Sequence, residues 1–234
     1  IGRGYSRAAP RALVKTSPLS GTVGNVLDPI VSLRREVELP AGGSAQVLFL
    51  LGAAPTRETA LALATTPYPF PPSMERAWHA ASEGADRPDS QTPPALRAAP
   101  RDPRRGTEGR TEPGVFDDEP LQFWNGHGGF SADGTEYVIR LQPDTDERLK
   151  LPPLPWVNVI ANAQFGFLIS ETGAGYTWSQ NSRENRLTPW YNDPVLDPHG
   201  EALYLRDEDD GAFWSPLPGP VPLPAPYEVR HGFG

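Results

Sequence analysis

The chain has 234 residues, a formal charge of −8, 29 prolines, 23 glycines and no cysteine. Its acidity, with a pI near 5.0, leaves no basic face for a phosphate backbone and argues against nucleic acid as a general partner. The lack of cysteine rules out a disulfide framework, thiolate metal sites and a thiol nucleophile, and no apolar run approaches the roughly 20 residues that span a bilayer.

Composition divides the chain into residues 1–71, 72–118 and 119–234. In the first part Val37 and Leu39 alternate with charges, Ala41-Gly42-Gly43 supplies a turn, and Val47 to Leu51 is continuously apolar. The pattern predicts a hairpin whose second strand is buried on both faces. Thr56 then stands as the N-cap of a short helix over TRETALALA. The middle part, with PPALRAAPRDPRRGTEGRTEPG, offers too little apolar surface to offset the entropy of ordering. It predicts a largely disordered Pro/Arg/Gly-rich linker, above all over residues 88–114, with a short helix in MERAWHAA around Trp78.

The third part predicts strands in TEYVIRL, PWVNVIANAQFGFLIS, GEALYLRDEDDGAFWSP and APYEVRHG. Asp133-Gly134 and Asp210-Gly211 supply strong hairpin signals. Strands outnumber helices, so the fold class is mainly β, an antiparallel β-sandwich. The chain opens without a signal peptide, at Ile1 rather than Met, and ends at Gly234 in apparent strand text. It reads as a piece of a longer protein.

Residues Tyr176 to Pro194, YTWSQNSRENRLTPWYNDP, are too aromatic for a solvated linker and too polar for a core strand. One reading is a ligand loop: tryptophan and tyrosine faces stack on sugar rings, and arginine holds anions such as phosphate bidentately. The other is a structural loop anchored by Trp178 and Trp190, with Arg183 and Glu184 paired locally. Composition by itself favours the structural loop.

Other motifs read as structure. LRDEDDGAFW fails as an EF-hand, because the twelfth position from Asp207 is Pro218 rather than glutamate. Its Asp209, Gly211 and Trp214 partly resemble the Asp-box turn of sialidase propellers, and a hairpin turn is the expectation. His79, His127, His199 and His231 lack metal-binding spacing, so neither metal nor cofactor is expected. His231 in VRHG reads as structural. HGGF and GTVG lack the helix and lysine of a phosphate loop and are expected to be turns. Asp117 and Asp118 read as solvated, and no G-x-S-x-G occurs.

GGFSADGTEYVI, the unbroken run from PWVNVIANAQFGF to NSRENRLTPWYNDPV, GEALYLRDEDDGAFWSP and YEVRHGFG together resemble a glycoside phosphorylase family. It is glycosyltransferase family 36, also glycoside hydrolase family 94, and NSRENRLTPW points to its cyclic β-1,2-glucan synthase branch. GRGYSRAAPRALVKTSPLSGTVGNVLDPIVSLRREVELPAGG resembles the closing half of a sandwich unit in the same branch. Residues 1–71 thus resemble the end of one sandwich unit, and residues 119–234 the opening of the next. The helical region that the branch carries between two units is reduced to the Pro/Arg-rich text.

The resemblance implies a supersandwich that precedes an (α/α)-barrel carrying the catalytic acid, so this chain alone is expected not to be catalytic. It reverses the balance at the loop. Arg183, Glu184, Asn185 and Arg186 become candidate rim residues for substrate, with Trp178 and Trp190 as supports or platforms. The implied partners are a glucan or oligosaccharide, inorganic phosphate, the parent's barrel and a second subunit in a homodimer. The implied location is the cytoplasmic side, with anchoring of the parent in the inner membrane left open. A free-standing carbohydrate-binding module and a degenerate structural remnant are the alternatives. Because each half would leave an apolar face wet, residues 20–52 are also expected to pack onto residues 120–230.

Overall fold

The computed structural model describes residues 5–14, 18–25, 30–66, 116 and 120–233. The expected MERAWHAA helix and the expected disorder over residues 88–114 lie outside the described residues. The chain divides into two compact units, residues 1–34 with 98–234, and residues 35–97.

In the smaller unit the helix is where its cap places it. α2 runs Arg57–Thr65, and the Thr56 side chain accepts the Thr59 N–H at 3.2 Å. The turn also forms: Gly43 N–H donates to the Pro40 carbonyl at 2.8 Å, with Gly42 at φ 72°. The hairpin around it does not. Residues 37–51 make no ladder, and Val47, Phe49 and Leu51 are 43%, 47% and 46% exposed. Alternation and an apolar run are conditional signals, and a lone two-stranded ribbon without a covered face is marginal at best.

Among the described residues the larger unit carries the short helix α1, Arg11–Val14, and eight strands. These are β1 Gly128–Phe130, β2 Glu136–Leu141, β3 Val157–Ala161, β4 Phe165–Ser170, β5 Gly175–Ser179, β6 Leu205–Arg206, β7 Phe213–Trp214 and β8 Tyr227–Gly232. They form antiparallel sheets in the orders β1-β2-β8, β3-β4-β5 and β6-β7. The mainly β, antiparallel expectation holds.

Both Asp-Gly pairs turn hairpins, β1 to β2 and β6 to β7, with Gly134 at φ 73° and Gly211 at φ 77°. HGGF is a strand rather than a turn. A Cβ on Gly128 would lie 2.6 Å from the Val138 carbonyl oxygen, and one on Gly129 would lie 2.6 Å from that of Gln122. The glycines there let backbones approach, a use that looks like turn chemistry in text alone.

β2 holds the core. Val138 and Ile139 point to opposite faces, and both are wholly buried, as is Leu141. Aromatic rings of Phe130, Tyr137 and Trp156 meet edge to face beside it. β3 is the opposite case, an edge strand on which every residue but the half-buried Asn158 is exposed, Val159 to 57%.

Candidate functional site

The YTWSQNSRENRLTPW stretch continues a hairpin. Tyr176, Thr177 and Trp178 belong to β5 and are buried, Trp178 to 7% exposure. Past Ser179 the chain reverses: Asn181 Oδ1 accepts the N–H groups of Arg183 and Glu184, both at 2.9 Å, and Ser179 N–H donates to the Asn185 carbonyl at 3.0 Å. Asparagine suits this job because its short carbonyl reaches its own backbone two residues on. Trp178 then bridges to Arg186, and Leu187 N–H donates to the Thr177 carbonyl at 2.9 Å. The tip is therefore a built turn.

Two supports fix its base. Tyr176 stacks on Trp190 with ring centroids 5.1 Å apart, and it meets Trp178 on a tilt at 5.1 Å. Glu201 Oε1 accepts both the Thr177 hydroxyl and the Thr188 hydroxyl, the latter at 2.6 Å, while Thr188 Oγ1 also accepts the Thr177 N–H at 2.8 Å. One carboxylate oxygen thus ties β5 to the returning leg. Further along, Asp197 Oδ2 accepts the Ser170 hydroxyl at 2.6 Å and the Thr172 hydroxyl at 2.7 Å. His199 sits beside this clasp, its Nε2 3.3 Å from the Thr172 carbonyl, and burial holds its pKa below the ordinary imidazole value.

The expected site residues separate by role. Arg183 and Glu184 project into solvent, with side chains 86% and 70% exposed, and pair with each other at 3.4 Å. Asn185 is exposed at the tip, its backbone spent on the turn. Arg186 lies over the Tyr176 ring, 5.8 Å from its centroid, and its Nε donates to the Ser182 carbonyl at 3.3 Å. Trp178 is too buried to offer a stacking face, whereas Trp190 is half-buried. Glu201, Thr177 and Thr188 are what the sequence reading missed. Glu201 stands 24 residues from Thr177, and no local pattern links them.

The acidic hairpin spends its carboxylates internally: Asp207 Oδ1 accepts Asp209 N–H and Asp210 Oδ1 accepts Ala212 N–H. No cluster that could hold a metal ion exists among the described residues. No helix among them is long and apolar enough to cross a membrane.

A model of the glycosyl hydrolase 94 supersandwich domain matches residues 1–66 and 135–234. The chain belongs to that family. The family match takes in both halves of the sequence and the whole loop.

Among curated proteins, the chain is 46% identical over 120 residues to cyclic beta-(1,2)-glucan synthase NdvB of Rhizobium meliloti (strain 1021), covering 51% of this chain and 4% of that protein. It is 35% identical over 109 residues to N,N'-diacetylchitobiose phosphorylase of Vibrio proteolyticus, 45% of this chain and 13% of that protein. The Vibrio furnissii protein of the same name is 37% identical over 109 residues. The chain spans a small part of the length of each relative.

Proposed function

We propose that this supersandwich domain is a non-catalytic, sugar-contacting support that shapes the substrate entrance of a helical catalytic barrel in its parent protein. One observation carries the reading: an exposed Arg183–Glu184 tip stands on a base of buried aromatics and threonine hydroxyls. A rigid base with a solvated polar tip is how a scaffold presents residues to a ligand. The names of the relatives, a β-1,2-glucan synthase and diacetylchitobiose phosphorylases, supply the ligand classes, an oligosaccharide and phosphate.

Of the two arginines, Arg183 is the one toward ligand. Arg186 is engaged with Tyr176 and the Ser182 carbonyl, whereas Arg183 needs only to leave an exposed partner. The carboxylates near the loop do not make a general acid. Glu184 is solvated, and Glu201 is occupied by two hydroxyls, while an acid for glycosyl transfer is held protonated in an enclosed setting. The barrel, a homodimer interface and a cytoplasmic location belong to the same proposal.

The test is to incubate the chain with β-1,2-glucan or cellobiose and phosphate, following tryptophan emission and glucose 1-phosphate. The reading requires saturable quenching with no product beyond stoichiometric trace. Turnover would overturn the non-catalytic role, and an unchanged emission spectrum would overturn the contact with sugar.

A further inference from the structure

Asn125 precedes Gly126, the chain's one Asn-Gly pair, in an exposed turn that leads into β1. The turn closes on the Asn125 N–H, which donates to the Gly128 carbonyl at 3.1 Å. The Asn125 side chain is held from both ends. Oδ1 accepts the N–H groups of His127 and Gly128 at 3.1 and 3.0 Å, and Nδ2 donates to the Tyr137 hydroxyl at 3.1 Å. None of these residues takes part in the loop site.

An electrophile and a nucleophile meet in this turn. A carbonyl oxygen facing two backbone N–H groups at this range is set to carry the negative charge of a tetrahedral intermediate, as in an oxyanion hole. The nucleophile is the Gly126 nitrogen, whose N–H makes no hydrogen bond among the described residues. Gly126 stands at φ 99°, and a Cβ placed on it would meet nothing within 4 Å, so base from solvent reaches the N–H. Glycine also puts no side chain in the way of ring closure.

Two other exposed asparagines isolate what the glycine adds. Asn162 Oδ1 accepts the Gln164 and Phe165 N–H groups at 2.8 and 3.0 Å, and Asn181 Oδ1 accepts those of Arg183 and Glu184, both at 2.9 Å. These turns share the paired donors, but Ala163 and Ser182 follow them, each with a Cβ beside the nitrogen. We propose that Asn125 is a self-modifying site. In the folded chain the Gly126 nitrogen displaces the Asn125 side-chain amide, and the turn converts to aspartate and isoaspartate without an enzyme.

The atoms balance with water as the only co-reactant. The Gly126 nitrogen gives its proton to hydroxide and bonds to Asn125 Cγ. The Cγ–Nδ2 bond then breaks, and ammonia leaves with a proton taken from water. A succinimide remains, and one water opens it at either carbonyl. Opening at one restores an ordinary main chain with an aspartate side chain; opening at the other runs the main chain through the side-chain carbon. The aspartate still accepts the His127 and Gly128 N–H groups but has no proton to donate to Tyr137. The isoaspartate lengthens the main chain by a methylene inside the turn that the Asn125 N–H closes, and so loosens the entry to β1.

The experiment incubates the whole chain in heavy-oxygen water at neutral and mildly alkaline pH, native and unfolded in urea, and maps its peptides by mass. The native chain is expected to take one heavy oxygen at Asn125, with isoaspartate exceeding aspartate and a rate that rises in proportion to hydroxide. That rate should at least match the rate in the unfolded chain and exceed those of Asn162 and Asn181 tenfold or more. Gly126→Ala, which puts a Cβ beside the attacking nitrogen, should slow conversion at least tenfold. If that variant does not fold, the comparison of the three asparagines in the parent chain decides alone. A native Asn125 that outlasts its unfolded counterpart would overturn the proposal, because the turn would then shield the amide. Equal conversion at the three asparagines, or an unchanged rate in a folded Gly126→Ala variant, would overturn it as well.

Discussion

Tyr176 and Trp190 lie ring against ring, centroids 5.1 Å apart and planes inclined by only 27°. The pair joins a buried strand to the far end of a polar loop, and Arg186 covers the Tyr176 ring from 5.8 Å. An aromatic-rich loop with no periodicity is therefore a clasped hairpin extension: Tyr176, Trp178 and Trp190 pack inward, and Arg183 and Glu184 face outward.

The clasp predicts the effect of Glu201→Ala. Two threonine hydroxyls lose one acceptor, and Thr177 is 5% exposed, so water does not readily replace it. The cost should be roughly 1–2 kcal/mol of unfolding free energy, with Glu201→Gln losing less because it keeps the carbonyl oxygen. Denaturant unfolding of the three proteins measures this. Equal midpoints would show the clasp to be ornamental.

Much of the fold was legible because its signals were local. Asp133-Gly134 and Asp210-Gly211 need only their own φ angles to turn a chain, and Thr56 needs only the Thr59 N–H to cap a helix. What failed depended on partners the text does not show. Val47 to Leu51 reads as a buried strand but is exposed, since alternation cannot say whether a covering layer is present. Gly128 reads as turn chemistry although it serves a close strand crossing. At the loop, the residue types were legible and the division of labour was not. Trp178 as anchor rather than platform follows from burial, and Glu201 enters through a contact 24 residues away.

Gly166→Ala tests the packing under the loop. A Cβ there would meet the Trp178 indole and lie 2.8 Å from Ala161 Cβ. Overpacking of this kind costs about 1–3 kcal/mol. The near-ultraviolet circular dichroism of the tryptophans should change together with the melting temperature. A variant as stable as the parent, with the same spectrum, would place Trp178 elsewhere.

The titration of the chain should carry two opposed slopes. His199 has its folded pKa lowered, first by burial and further by Arg7, against the opposing effects of the Thr172 carbonyl and Asp197. The unfolded chain then binds protons more readily, so stability is complete above the ordinary imidazole pKa of about 6.5 and is lost as pH falls through it. His231 acts in the same sense. Glu171, raised mainly by burial and also by Asp197, acts oppositely: its contribution falls as pH rises above about 4.3. Melting temperatures from about pH 5.5 to 8 should rise, and His199→Asn should flatten the rise. An identical slope in the variant would remove His199 from the account.

Arg186→Ala should cost about 0.5–1 kcal/mol, the worth of an exposed cation–π contact, through lost packing on Tyr176. Arg183→Ala should stay within about 0.5 kcal/mol of the parent, because its side chain is 86% exposed and pairs with a Glu184 that is itself 70% exposed. Thermal melts of the two variants side by side decide which arginine is structural. The opposite ranking would reverse the roles assigned to them.

The most direct measurement is the calorimetric affinity of the chain and of its Arg183→Ala variant for a β-1,2-linked gluco-oligosaccharide. The account predicts binding by the parent, at least a fivefold loss in the variant, and unchanged melting temperatures. Equal affinities in two equally stable proteins, or no binding by the parent at all, would contradict the claim that this loop contacts sugar.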